Sequence, residues 1–302
     1  MFLCDTHADT LYAMQDQQRD PSLGLDITKE RLLTGDFTRV QVLALFTGRY
    51  GLQKTDAGLT ERELEQWEKL KAQGFHAIDS LDQAVKGQCN IMLSVEGGEV
   101  FHGGVERVDF FRDLGVRLAA LVWNNENQLA YPACGGTSNG LTEYGRQVVV
   151  RMNQRHMAAD VSHLNEAGFW DLLRVSQTPP MASHSCARAL CDHPRNLTDE
   201  QLRALFAAGG FVGVNFYPTF LDASGTATLD TVVRHMEHML SLGGEGHVGL
   251  GSDFDGIDTY PEGLRHAGEV PALLDAMRAH GFSESTVRDV AGESFRRYLD
   301  RI

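Results

Sequence analysis

A chain of 302 residues with 42% hydrophobic content holds enough apolar material for one large core or two ordinary domains. Its formal net charge of −14, from 41 Asp and Glu against 27 Lys and Arg, argues against a surface that tracks the phosphates of nucleic acid or of an anionic membrane. Five cysteines, an odd number with no C-x-x-C pair, argue against a disulfide framework or a thiolate zinc site and read as reduced thiols.

The chain opens on Phe2 and Leu3, which run into Asp5, Thr6, His7, Ala8 and Asp9. His7 and Asp9 are two apart, so a strand here presents an imidazole and a carboxylate to one spot, as a metal ion requires. Alone, the same pattern is an ordinary solvated strand end. These polar residues interrupt the only candidate for a signal peptide, and no apolar run is long enough to cross a bilayer, so the protein reads as soluble and cytoplasmic. A second apolar run, 40–47, precedes an amphipathic helix pattern over 61–73, a solvated face with Leu64 and Trp67 turned inward. The third run, 91–95, closes on Glu96, Gly97 and Gly98.

A helix over 105–114 leads to the fourth run, 117–123, which ends at Asn124 and Asn125. Residues 131–141, rich in Gly, Ser, Asn and Pro, read as a long loop. A helix over 146–154 precedes the fifth run, 157–161, closing on Ser162 and His163. After a helix over 166–175 and the break at Pro179 and Pro180, the short sixth run, 181–183, ends at His184 and Ser185. Thr198 and Gln201 form a capping box that opens a helix through Ala207, stopped by Gly209 and Gly210. The seventh run, 211–216, ends at Tyr217 and Pro218. A helix over 229–242 carries His235 and His238 one turn apart, both read as exposed. The eighth run, 248–251, closes on Ser252, Asp253, Phe254, Asp255 and Gly256, and helices over 271–280 and 284–299 finish the chain.

Eight apolar runs separated by helices are the pattern of an α/β protein with a (β/α)8 TIM-like barrel, here a single domain over residues 1–302. A doubly wound open sheet has the same local alternation, but the first strand-to-helix turn has no G-x-G-x-x-G, and polar residues recur at the strand ends. In a barrel those ends meet at one mouth. They bring together His7, Asp9, Glu96, Asn124, His163, His184, Tyr217 and Asp253, a nitrogen and oxygen donor set suited to zinc or a similar divalent ion. Two ions sharing a bridging carboxylate would use such a set well.

The segments 5–9 (DTHAD), 95–98 (VEGG), 160–163 (DVSH), 183–185 (SHS), Arg195-Asn196, 214–217 (VNFY) and 251–256 (GSDFDG) together resemble the membrane (renal) dipeptidase family, peptidase family M19 of the amidohydrolase superfamily. The resemblance runs in order over nearly the whole chain. It implies a barrel with two Zn2+ ions, other divalent metals being alternatives: His7 and Asp9 on one ion, His163 and His184 on the other, and Glu96 bridging. It further implies Asp253 as the acid/base, Arg195 as the partner of the substrate's terminal carboxylate and Tyr217 as a lining residue. The implied reaction is attack of a metal-bridging hydroxide on the amide bond of a dipeptide, with a D-residue at the C-terminal side among the substrates to test.

Asn124 stands where the mammalian members carry a substrate-contacting histidine; an amide donates a hydrogen bond but carries no proton or charge. A register shifted by one puts Trp123 there. The secretion signal and lipid-anchor tail of the mammalian enzymes are not expected here. The expected partner is a small dipeptide, with no nucleic acid and no membrane, and a homodimer is left open. The competing functions are hydrolysis of another small amide or an N-acyl amino acid, and a non-catalytic metal-binding scaffold. Asp255 reads as a helix cap or a second-rank site residue, His193 as surface, and Cys186 as a small buried thiol.

Overall fold

The computed structural model describes residues 1–16, 18–19, 24–47, 58–135 and 137–302, and among them nine strands form one all-parallel sheet. In chain order these are β1 (Phe2–Asp5), β2 (Thr38–Phe46), β3 (His76–Ala77), β4 (Asn90–Glu96), β5 (Leu118–Ala120), β6 (Ala158–Asp160), β7 (Met181–Ser185), β8 (Phe211–Val214) and β9 (Val248–Leu250). Eight of them close a barrel in the order β2-β1-β9-β8-β7-β6-β5-β4, sealed by a long parallel pairing of β2 with β4 from Val40↔Asn90 to Phe46↔Glu96. The ninth, β3, pairs only with the start of β4. Helices flank the barrel, giving the (β/α)8 architecture that the alternation of runs implies.

The runs are continuous in apolar character because both of their faces are buried, and the period of two is still at work inside them. Cys4, Val40, Val42, Met92, Leu118, Ala158, Met181 and Phe211 share one cluster, the barrel floor, which Phe295 and Tyr298 of the helix Ser294–Leu299 close from below. Their neighbours Leu43, Leu45, Ile91, Leu93, Val95, Ala119, Ala159 and Val212 belong to the other cluster, between strands and helices. Two and four positions beyond Met92, Ser94 and Glu96 fall on the inward face, so the alternation that fills the floor also delivers Glu96 to the mouth.

Several elements differ from the sequence reading. The first run ends as a strand at Asp5; Ala8 makes only an isolated bridge to Phe254, and Asp9 is the N-cap position of a helix, Thr10–Gln15, that the sequence reading lacks. His7 and Asp9 therefore meet through a turn rather than by strand alternation. The helix expected over 229–242 is α-helical from Leu229 to Met239 and then widens into a π turn, where Gly243 adopts φ 94°. The one expected over 284–299 is interrupted by a π turn at Asp289–Glu293. There Gly292 lies against β1, where a Cβ would stand 3.0 Å from the Cys4 backbone nitrogen.

Trp67 is buried as expected on the helix Leu59–Ala72, but so is Glu63, whose Oε2 accepts the Phe46 N–H at 2.7 Å. The loop over 131–141 contains Gly136, which lies outside the described residues. No helix among the described residues is long and apolar enough to cross a membrane.

Candidate active site

At the C-terminal mouth of the barrel a cavity of about 520 Å³ is lined by Asp9, Glu96, Asn124, His163, Arg195, Tyr217 and Asp253 among others. His7 and His184 lie just beneath, with ring centroids 3.9 Å apart. Every residue that the sequence reading places at the mouth is thus in one region, including Asn124 and its neighbour Trp123, which both line the cavity.

Glu96, at the end of β4, is the centre of the arrangement. Its Oε1 lies 2.9 Å from His163 Nε2 and 3.5 Å from His184 Nε2, while Oε2 lies 3.6 Å from His7 Nε2. On the other side of His7, Nε2 is 3.6 Å from Asp9 Oδ2 and 3.9 Å from Asp253 Oδ1. Burial opposes the charge of both His7 and Glu96, but their mutual attraction outweighs it. His7, helped by Asp9, is raised well above the ordinary imidazole range, and Glu96, beside the His7 charge, is held well below the carboxylate range. Asp9 is pushed up by burial and then by the charge of Glu96, and Asp253 is pushed up chiefly by burial. Three carboxylates, Asp9, Glu96 and Asp253, thus gather about the His7 imidazole.

The tautomers of His163 and His184 can be traced through their other ring nitrogens. Ser183 Oγ gives its proton to Asp160 Oδ2, so at 2.8 Å from His184 Nδ1 it can only accept; His184 carries its proton on Nδ1. His163 Nδ1 donates to Asn124 Oδ1 at 3.0 Å. Both Nε2 atoms are left as lone pairs, yet they face each other at 3.0 Å. Burial, seconded by Arg195, holds His163 down to about 4, and burial, seconded by His7, holds His184 well below the usual range, so both are neutral near pH 7. Two acceptors aimed at one spot beside a carboxylate oxygen are a repulsive arrangement that a cation converts into an attractive one. The buried His7 Nε2 and Asp9 Oδ1 likewise have no hydrogen-bond partner. The donor set therefore fits divalent metal, with His7, Glu96 and His184 as one compatible group and His7, Asp9 and Asp253 as another.

The backbone serves these side chains. His163, Asp253 and Asp255 have φ near +67° (68°, 66° and 66°), three of the five non-glycine described residues with positive φ. Such conformations cost about 1–3 kcal/mol each and persist where the surroundings impose them. A register shift between Ala182 and Ser185 turns the end of β7 so that both Ser183 and His184 serve the site. Gly256 allows the carboxylates to converge: a Cβ there would stand 2.0 Å from Asp9 Oδ2 and 2.8 Å from Asp253 Oδ1.

Around this centre, Asn215 Nδ2 donates to Asp253 Oδ2 at 2.9 Å and its Oδ1 accepts the Tyr217 N–H at 2.6 Å, so one amide fixes both residues. Arg195 is buried, its Nη2 donating to His184 O at 3.3 Å and its guanidinium 5.5 Å from the centre of the Phe220 ring; burial lowers its pKa and Nε has no partner. His193, expected at the surface, instead lines the cavity against Phe220, with centroids 4.6 Å apart. Cys186 is a buried thiol as expected, its Sγ donating to Asn215 O. Asp255 does not cap a helix. Its carboxylate accepts from Asp26 N at 2.6 Å and Thr10 Oγ1 at 2.7 Å, and Asp26 Oδ2 accepts from Asp255 N at 2.9 Å, tying the Asp253 turn to the segment before β2. Sequence reasoning missed Asp160, Ser183 and Asn215 as supports, although all three sit inside the motifs quoted for the family; their spacing to the ligands was the available signal.

The family model described as membrane dipeptidase, peptidase family M19, matches residues 1–302. An uncharacterized protein of Klebsiella pneumoniae from the pqqA 5′ region is 38% identical over 222 residues, which are 70% of this chain and 82% of that one. An uncharacterized dipeptidase of Schizosaccharomyces pombe is 38% identical over 217 residues, covering 70% of this chain and 53% of the yeast protein, so the match spans about half of that relative's length. Among solved structures, a metallopeptidase of Rhodobacter sphaeroides liganded with a phosphinate mimic of the dipeptide L-Ala-D-Ala has a TM-score of 0.87 at 27% identity, over 100% of this chain and 99% of its own.

Proposed function

This chain belongs to the membrane dipeptidase family, peptidase family M19, and from that premise we propose that it hydrolyses the amide bond of dipeptides with a pair of zinc ions, acting as one barrel unit over residues 1–302. The observation that carries the reading is Glu96, with one carboxylate oxygen toward His7 and the other toward the facing Nε2 atoms of His163 and His184. His7 and Asp9 would hold one ion, His163 and His184 the other, and Glu96 would join them. When bound, the metal pair supplies a hydroxide at neutral pH and draws electron density from the scissile carbonyl.

The remaining work falls to the chain's own side chains. Arg195 receives the substrate's terminal carboxylate; its buried guanidinium, with Nε unpartnered, loses little further hydration when the anion arrives. Asp253 takes the proton of the attacking water and delivers it to the amine nitrogen as the C–N bond breaks. Burial raises its pKa, which makes it a better proton acceptor than an exposed aspartate, and the bond from Asn215 holds one oxygen so that the other faces the cluster. Tyr217 lines the carboxylate side and Asn124 orients His163 while lining the cavity. The mimic bound by the Rhodobacter metallopeptidase supports a D-residue at the C-terminal side of the substrate. A cytoplasmic setting belongs to the same proposal and rests on five cysteines that are all free.

The test is metal analysis of purified protein together with kinetics on dipeptides ending in L- or D-residues and on N-acyl amino acids. About two zinc per chain and turnover of dipeptides are expected. Preference for N-acyl amino acids would move the assignment to another amide class, and full metal occupancy without turnover of any of them would favour the scaffold reading.

A further inference from the structure

His235 and His238 lie on the same helix, but only His238 is accessible, bonded through Nε2 to Asp199 Oδ1 at 2.8 Å. His235 is 1% exposed and uses both ring nitrogens within the fold, contrary to the expectation of a surface residue. Its Nδ1 accepts the Ala187 N–H at 3.1 Å and its Nε2 donates to Leu221 O at 2.9 Å. A ring that accepts on one nitrogen and donates on the other is a neutral Nε2–H tautomer.

The two backbone groups it joins belong to the two walls of the carboxylate end of the cavity. Ala187 follows β7 and opens the excursion that carries His193 and Arg195, closed by a parallel bridge from Ala187 to Leu197. Leu221 ends the turn Pro218–Leu221, which carries Phe220 beneath the Arg195 guanidinium and follows Tyr217. The same two walls are joined a second time by Asn196, whose Nδ2 donates to Cys191 O and to Phe220 O, each at 2.8 Å. Its helix neighbours Val232, Val233, Met236 and Met239 are all core residues. A histidine kept there against its desolvation cost is holding the two segments in register.

We propose that His235 is a positioning residue for the substrate's terminal carboxylate, acting through Arg195 by clipping the 187–197 excursion to the 218–221 turn. This rests on the reading that Arg195 receives that carboxylate. Loss of the clip lets Arg195 and its Phe220 support move apart, which weakens binding of the carboxylate while leaving the metal cluster and Asp253 in place.

The experiment compares wild type with His235→Leu, which removes both bonds, His235→Asn, which retains a polar group near Nδ1, and His235→Gln, which retains one near Nε2. With a dipeptide, His235→Leu should raise KM by about 10-fold with kcat within about 3-fold, and either amide variant should recover part of the loss. With the C-terminally amidated dipeptide, KM should move by less than about 2-fold, and adding His235→Leu to Arg195→Ala should cost less than about 2-fold more. Equal losses on both substrates, additive losses with Arg195→Ala, or a fall in kcat with loss of metal would overturn the proposal. If His235→Leu does not fold, the two amide variants carry the same comparison. If wild type turns over no dipeptide, the functional reading fails, and the clip is judged by hydrogen exchange. Faster exchange of the Ala187 region in the variants supports it and unchanged exchange overturns it.

Discussion

Replacing Asp253 with asparagine keeps the side chain's shape and removes its ability to carry a proton. Asp253 Oδ2 accepts from Asn215 Nδ2 at 2.9 Å, so the introduced amide must turn its oxygen to Asn215 and its NH2 toward His7, whose Nε2 is 3.9 Å from Oδ1. The backbone at φ 66° is if anything easier for asparagine than for aspartate. Proton transfer by a positioned side chain is worth about 10²–10⁴-fold in rate, or about 2.7–5.5 kcal/mol of barrier. Asp253→Asn should therefore lower kcat by about 10³-fold with KM within about threefold. Burial is the chief cause of the raised Asp253 pKa and outweighs the attraction of His7, so removing the buried charge should leave the metal-free variant melting no lower than metal-free wild type. Steady-state kinetics, elemental analysis and thermal melts read these three quantities. Full activity would refute the proton role. A loss of metal would instead make Asp253 a ligand, a role for which its grouping with His7 and Asp9 gives it the geometry.

Three further outcomes follow from the same geometry. Glu96→Ala removes the carboxylate that faces all three histidines, and elemental analysis should show less metal per chain; unchanged metal would remove Glu96 from the ligand set. Gly256→Ala places a methyl 2.0 Å from Asp9 Oδ2, so metal content and kcat should both fall, and a variant indistinguishable from wild type would show that the turn has room to move. Stability should carry a signature of His235, held down to about 4 by burial against an ordinary 6.5, with the bond to Leu221 opposing the shift, His238 and Arg234 adding to it and Asp222 opposing it. Between those values the unfolded chain binds the proton that the folded one refuses. The stabilisation is therefore present above pH 6.5 and lost as the pH falls toward 4, roughly 3 kcal/mol in all. The difference in unfolding free energy between wild type and His235→Asn should narrow over that window, and a difference independent of pH would refute the assignment.

Much of the site was legible in the chain because barrel strands end at one mouth. Glu96, His163 and His184 each close an apolar run, and runs are what hydrophobic periodicity reports best. Arg195 had no such signal of its own: it follows Pro194 in a polar loop, and only the family resemblance singled it out. His235 and His193 were misplaced for a related reason. A histidine on an amphipathic helix or in a loop looks exposed unless its later neighbours are known: Leu221 and the helix core cover His235, while His193 is half-buried, its ring against Phe220 at the cavity wall.

By itself the sequence determined the succession of the eight barrel strands, the closed parallel architecture, the family, and which residue types gather at the strand ends, because these depend on local periodicity and on motifs contiguous in the chain; the short helix Thr10–Gln15 and the strand β3 escaped it. Only the tertiary structure decided how the gathered residues face one another. His7 and Asp9 meet through a turn, the Nε2 atoms of His163 and His184 oppose each other because Asn124 and Ser183 claim their other nitrogens, and Asn215 holds Asp253. The physical reason is that tautomers, unpartnered lone pairs and shifted pKa values are properties of pairs of groups brought together across the barrel. Even where two partners are neighbours in the chain, as Ser183 and His184 are, the third group that fixes the proton, Asp160, comes from another strand.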